Sequence, residues 1–256
     1  MRTNVEHAPF LLLSVRAEEA AADDEYLAIM RFAGLDEIDL RRIRMTHDEL
    51  GPIELADWSG IILGGGPYNV TDDPCRKDET QQRVERELAT LLDAVVAQDF
   101  PFLGCCYGVG TLGTAVGATI DRTYSEPVGA VTVSLTDEGC ADPIFAGLPE
   151  TFDAFVGHKE AVTTLPPHAV RLASSPACPV QAFRVGANAY ATQFHPELDA
   201  AGLATRIDVY AHHGYFAPED AEELKAAALQ HDVSCPPVVL QRFVQRYRRP
   251  CALVTN

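Results

Sequence analysis

At 256 residues, 47% of them hydrophobic, the chain is long enough for one large α/β unit with a full core. Its formal net charge of −17 argues against nucleic acid and against anionic membrane surfaces as partners and favours small molecules. Seven cysteines without a CxxC pair fit free thiols in a cytoplasmic protein better than a disulfide scaffold. Met1 to Pro9 carries no apolar signal-peptide stretch.

Phe10 to Val15 is continuously apolar, as expected of a strand buried on both faces of a parallel sheet. Asp23 to Gly34 reads as a helix stopped by its glycine, Ile38 to Ile43 as a second strand, and Gly60 to Leu63 as a third. Glu79 to Gln98 places Val84, Leu88, Leu91, Leu92 and Val95 at helical spacing. Phe100 to Leu103 is a fourth strand, followed by Gly104-Cys105-Cys106-Tyr107-Gly108. Beyond Thr119, Gly129 to Leu135 and Phe152 to Phe155 read as strands. Val180 to Arg184 and Ala189 to Phe194 read as a hairpin about Gly186-Ala187-Asn188. Pro218 to Gln230 and Val238 to Tyr247 are helical, with no linker convincing enough to split the chain. The expected fold is a three-layer, flavodoxin-like α/β sheet with a mostly parallel core, added antiparallel strands and C-terminal helices. It forms a single domain over residues 1–256, with the core at about 10–197 and the helical extension at about 198–256.

The stretch at Cys106 carries the chemistry. A cysteine with glycines two before and two after fits the tip of a strand–turn–helix elbow, with its thiol outward and its amide at a helix start. Cys105 lacks that symmetry and would point into the sheet. Gln193-Phe194-His195-Pro196-Glu197 follows a predicted strand. Residues two apart in extended backbone project alike, so Glu197 can orient the His195 imidazole toward the thiol. Gly64-Gly65-Gly66-Pro67 has neither a P-loop nor a dinucleotide spacing. An oxyanion hole from the amides of Gly65 or Gly66 and Tyr107 is the better use.

Glycine-rich turn, cysteine elbow and His-Pro-Glu, in that order, resemble the class I glutamine amidotransferases, in particular the stand-alone group similar to the amidotransferase half of GMP synthetase. Glu126-Pro127-Val128-Gly129, Asp142 to Pro149, Gly157-His158-Lys159-Glu160 and Cys178 to Phe183 support the likeness, which runs from about Phe10 to Glu197. The resemblance implies a γ-carboxamide hydrolase in which Cys106 is the nucleophile, His195 the base and Glu197 its orienter, working through a γ-glutamyl thioester and releasing ammonia. It implies no cofactor and no metal, a small γ-glutamyl substrate, and a separate synthetase subunit to accept the ammonia, since no synthetase domain is expected after the C-terminal helices. A γ-glutamyl peptide or amine hydrolase and a catalytically silent binding domain are the alternatives. In such proteins a glutamine that helps hold the substrate usually stands four residues after the nucleophile. Here it is Gly110, which leaves that contact missing and extra room expected.

Around this core, His158 is expected either near the pocket or as a hydrogen-bonded core histidine. Glu126 either is structural or lines the site. Glu160 is expected as a solvated charge, Trp58 as packing, His212-His213 as no metal site, and Arg242, Arg246, Arg248 and Arg249 as a solvated helix end.

Overall fold

The structure is a computed structural model and describes residues 7–250. In chain order the elements are β1 (Phe10–Ser14), α1 (Glu19–Ala33), β2 (Leu40–Arg44), β3 (Gly60–Leu63), α2 (Glu79–Ala97), β4 (Phe102–Cys105) and α3 (Tyr107–Ala115). Then come β5 (Thr119–Asp121), β6 (Glu126–Leu135), α4 (Asp137–Ala141), β7 (Thr151–His158), β8 (Ala161–Thr164), β9 (Ala169–Ser174), β10 (Ala182–Val185) and β11 (Ala189–Thr192). The chain continues through α5 (Ala200–Tyr210), α6 (Ala221–Ala228) and α7 (Pro237–Tyr247). A nine-stranded sheet runs β2-β1-β3-β4-β11-β10-β9-β6-β7, and β5 and β8 form a small antiparallel pair beside it. The pairings from β2 to β11 are parallel and those from β11 to β7 antiparallel.

The unbroken apolar run of β1 is explained by its two covered faces. Phe10 and Leu12 pack with Ile29 of α1 and Leu240 and Phe243 of α7. Leu11 and Leu13 pack with Val84, Leu88 and Leu92 of α2 and Leu112 of α3 on the other side. Each such side chain removed from water contributes roughly 1.5–3 kcal/mol. Helix α2 begins where Asp78 accepts a hydrogen bond from the Gln81 amide at 2.7 Å. Helix α1 ends at Gly34, whose φ of 66° lies in the left-handed region.

The central alternation matches the sequence expectation, and the later part holds more than was expected. The sequence pattern does not signal strands β5, β8 and β9 or helices α4 and α5, and Val180 and Gln181 precede β10. Helix α1 starts four residues earlier than expected, and Ile38 is exposed ahead of β2. Among the described residues, no helix is long and apolar enough to cross a membrane, and the six cysteines described are free thiols.

Register places the site. Leu63 pairs with Gly104, and Thr192 pairs with Cys105. The parallel strands β3, β4 and β11 therefore end together, and the segments that leave them meet at one sheet edge, where open α/β sheets hold ligands.

Candidate active site

Cys106 joins β4 to α3 with φ 53° and ψ −87°, a strained conformation for a residue with a side chain. Its amide donates to the Thr192 carbonyl at 2.7 Å, and its carbonyl accepts from Val109 at 2.9 Å, which fixes the turn. The glycine before it is needed, since a Cβ on Gly104 would come within 2.7 Å of Gly108 Cα, whereas a Cβ on Gly108 would find room, with Leu63 at 3.9 Å. Cys105 is fully buried in the sheet, where burial pushes its thiol well above the ordinary range. Cys106 is only partly covered.

His195 reaches this thiol from the segment after β11. A Cβ on Gly65 would lie 2.7 Å from His195 Cε1 and 3.3 Å from Cys106 Cβ, so only a glycine lets imidazole and thiol close up here. The imidazole stands beside the Cys106 side chain, and its Nδ1 faces Glu197 Oε1 at 2.7 Å. His195 and Glu197 share a side because the chain turns, rather than because it is extended. Leu198 N–H donates to the His195 carbonyl at 3.4 Å, which puts Pro196 at the second position of a turn, where its fixed φ is favoured. Burial disfavours the imidazolium, yet the Glu197 carboxylate and the Cys106 thiol outweigh it and push His195 up to about 9. Glu197 is likewise opposed by burial, but His195 and Arg206 hold it far below the usual carboxylate range.

Behind this row lies a buried charge network that the sequence reading missed. Arg206 Nη1 of α5 donates to Glu197 Oε1 at 3.0 Å, and its Nη2 lies 3.8 Å from Glu25 Oε1. Glu25 of α1 accepts from Arg16 Nε at 3.0 Å and from the Ser14 hydroxyl at 3.2 Å. Arg16 Nη1 donates to the Tyr210 hydroxyl at 3.1 Å, which donates on to Glu18 at 3.1 Å. A Cβ on Gly64 would strike the Glu25 carboxylate, so the first glycine of the turn admits the network and the second admits His195. A signal existed: Glu25 and Arg206 stand on the apolar stripes of their helices, beside Ala21, Ala22 and Ile29 and beside Leu203 and Ile207.

A small cavity of about 60 Å³ opens onto Cys106 and His195. Gly66 and Pro67 line it from one side and Leu203, Ile207 and Tyr210 from α5; Tyr215 and Phe216 reach it from the segment after α5. The Tyr215 hydroxyl donates to the Pro67 carbonyl at 3.4 Å, and Lys159 Nζ sits 4.2 Å from the Tyr215 ring centre. The backbone N–H groups of Gly65, Gly66 and Tyr107 have no acceptor among the described residues.

A sequence profile described as "Glutamine amidotransferase class-I" matches residues 29–207. The chain belongs to this family. A GMP synthase (glutamine-hydrolyzing) of Thermomicrobium roseum is 34% identical over 178 residues, which cover 65% of this chain and 30% of the relative. In Methanoculleus marisnigri, one subunit of a GMP synthase of the same description is 31% identical over 156 residues, covering 60% of this chain and 74% of that subunit. The chain thus spans about a third or less of the full-length synthases it matches. In fold it is similar to a glutamine amidotransferase of Thermotoga maritima, with a TM-score of 0.74 at 22% identity over 94% of this chain and 98% of that one. One from Methylobacillus flagellatus gives 0.72 at 18% identity, over 97% and 99%.

Three expectations need correction. Gly110 opens no extra room and does not line the cavity. A Cβ there would meet Glu160 Oε1 at 2.6 Å and the Val70 methyls at 3.2 and 3.3 Å. Glu160 is not a solvated charge: it is buried and accepts from the Val70 amide at 2.9 Å and from the Thr71 amide and hydroxyl at 2.9 and 2.7 Å. Burial raises its carboxyl despite those donors. His158 also lies outside the cavity lining. Its Nε2 faces Glu126 at 2.8 Å and its Nδ1 faces the Glu160 carbonyl at 2.9 Å. Glu126 further accepts from Ser175 and Gln181 and is structural. Of the terminal arginines, Arg248 pairs with Asp39 at 2.8 Å, while Arg249 hydrogen-bonds the Ala56 carbonyl; these two tie the end of α7 to the sheet edge. His213 pairs with Glu18 at 3.4 Å.

Proposed function

We propose that this glutamine amidotransferase hydrolyses the γ-carboxamide of a γ-glutamyl substrate, glutamine foremost, through a thioester on Cys106. The carrying observation is that His195, held by Glu197 and backed by Arg206, stands beside Cys106 at the tip of the elbow. The Cys106 thiolate attacks the amide carbon, and the amides of Gly65, Gly66 and Tyr107 receive the negative charge that develops on oxygen. His195, protonated by its pairing with Glu197, gives its Nε2 proton to the departing nitrogen, and ammonia leaves. The now neutral imidazole takes a proton from water, whose oxygen attacks the thioester. The γ-carboxylate product departs and the thiolate returns paired with imidazolium. Glu197 keeps the ring in the tautomer that presents Nε2 to sulfur, and Arg206 fixes Glu197.

The ammonia would pass to a separate synthetase chain, a reading supported by the similarity to a GMP synthase subunit that this chain matches over most of that subunit's length. A bulkier γ-glutamyl peptide is the weaker alternative, because the place expected to provide space, Gly110, is filled by Glu160 and Val70. The test is release of ammonia and glutamate from glutamine, alone and with candidate synthetase subunits, together with labelling of the thiol by a glutamine-like diazo-ketone. Cys106→Ala is expected to abolish both. A wild-type protein that neither turns over glutamine nor is labelled at Cys106 would be a silent binding domain, and the proposal would fall.

A further inference from the structure

Two buried guanidinium groups border the cavity at Cys106, and they differ in what they leave free. Arg206 gives Nη1 to Glu197, and its Nε and Nη2 are closed off from solvent. Arg16 is held on two sides, through Nε by Glu25 and through Nη1 by Tyr210. Its Nη2 has no hydrogen-bond partner among the described residues, and Arg16 lines the cavity together with Cys106 and His195.

The distances suit a two-ended ligand. Arg16 Nη2 and Cys106 Cβ lie 3.0 and 3.3 Å from the point a Cβ on Gly65 would occupy. That keeps them within about 6 Å of each other, near enough for one small ligand, folded between them, to touch guanidinium and thiol together. Most of the remaining lining is apolar, with Val128, Val156, Leu198 and Phe216 among it, and it contains no Asp or Glu. An anion there meets a planar donor already fixed in place, whereas an ammonium meets no carboxylate among the lining residues.

We propose that Arg16 binds the carboxylate of the substrate through Nη2 and so selects ω-carboxamides that carry a carboxylate at the other end. This rests on the amide-hydrolase reading above. It supplies a substrate contact in a chain whose Gly110 position is occupied by Glu160. Recognition runs through the carboxylate and owes little to the α-amino group.

The test uses three compounds. Glutamine has both charged groups, glutaramate keeps the carboxylate and lacks the amine, and 4-aminobutanamide keeps the amine and lacks the carboxylate. Protection of the Cys106 thiol from iodoacetamide is measured in the wild-type protein, with ammonia release followed in parallel. Glutamine and glutaramate are expected to protect at concentrations on the order of 10- to 100-fold lower than 4-aminobutanamide, the range for a hydrogen-bonded charge. Arg16→Gln should erase that difference by weakening only the two carboxylates. Arg16→Lys, which keeps the charge and loses the fork, should weaken them less, and it serves where Arg16→Gln does not fold. Equal protection by all three compounds, no protection by glutamine, or an equal loss for all three in the variants overturns the role of Arg16. Protection by the carboxylates without ammonia release from any compound upholds the carboxylate site and overturns the hydrolase reading instead.

Discussion

His195 and His158 each sit against a buried carboxylate, Glu197 at 2.7 Å and Glu126 at 2.8 Å. Both carboxylates are held below their ordinary range in spite of burial, which opposes this in each case. The pairs differ in what remains unsatisfied. Around His158 every ring nitrogen is used, and Ser175 and Gln181 complete the shell of Glu126. Glu126, His158 and Cys178 bring metal-capable atoms within 4.8 Å of one another, but the contacts just named engage Glu126 and His158, and the Cys178 thiol is turned to the Val180 carbonyl at 3.5 Å. Around His195 the carboxylate is anchored from behind by Arg206, and the ring faces a thiol and a cavity. The same pair of residues is thus a cross-brace between β6 and β7 in one place and the proposed proton carrier in the other. The open nitrogen makes the difference.

The largest expected effects test that contrast directly. Glu197→Gln should lower kcat on the order of 10²- to 10⁴-fold in a protein that still folds, because the ring loses its orienting charge. Glu126→Ala strands His158 and Gln181 in the interior. It should cost roughly 3–5 kcal/mol in urea unfolding while leaving kcat per folded molecule unchanged. The contrast breaks if Glu126→Ala slows turnover of folded protein as Glu197→Gln does.

A smaller effect is expected at the elbow helix. Gly110→Gln restores the residue that the family resemblance leads one to expect, yet the new side chain must displace the Glu160 carboxylate and Val70. Overpacking of this kind costs about 1–3 kcal/mol. The double variant Gly110→Gln with Glu160→Ala should recover part of that loss in thermal unfolding. If the single variant is as stable as wild type, Glu160 does not fill the position in solution.

How much of this was visible in the sequence follows from the range of the interactions. The elbow, the glycine turn and His-Pro-Glu are local, so each is readable by itself, and the family resemblance joins Cys106 to His195 and Glu197. The helix α2 and the buried strand β1 were equally legible, because 3.6-residue periodicity and unbroken apolar runs are written within one element. Arg206, Glu25 and Arg16 were not, since their partners lie 9 or more residues away and on different elements. Charges on the apolar stripes of α1 and α5 were the only clue. Glu160 was misread for the same reason: its partners Val70 and Thr71 are 90 and 89 residues distant. The short strands β8 and β9 carry weak patterns, and their places are set by pairing with β5, β6 and β10.

The gentlest prediction concerns pH. His195 is raised from an ordinary value of 6.5 to about 9, with burial opposing and the Glu197 carboxylate and Cys106 thiol prevailing. A proton held more tightly in the folded state stabilises it fully below about 6.5, and that contribution fades as pH rises through about 9. Stability contributed by His195 should therefore be level below about pH 6.5, fall steadily through the neutral range, and be largely lost above about pH 9. Activity should decline as pH rises through about 9, because in the proposed mechanism departure of ammonia requires the imidazolium. Replacing Glu197 with Gln removes the principal group that raises the imidazole and leaves burial to lower it, so the alkaline limb should move toward neutral pH. Glu126→Gln should leave the limb where it was. A pH–rate profile of the folded variants separates the two pairs: an alkaline limb that stays near 9 in Glu197→Gln would show that Glu197 does not set the protonation of His195.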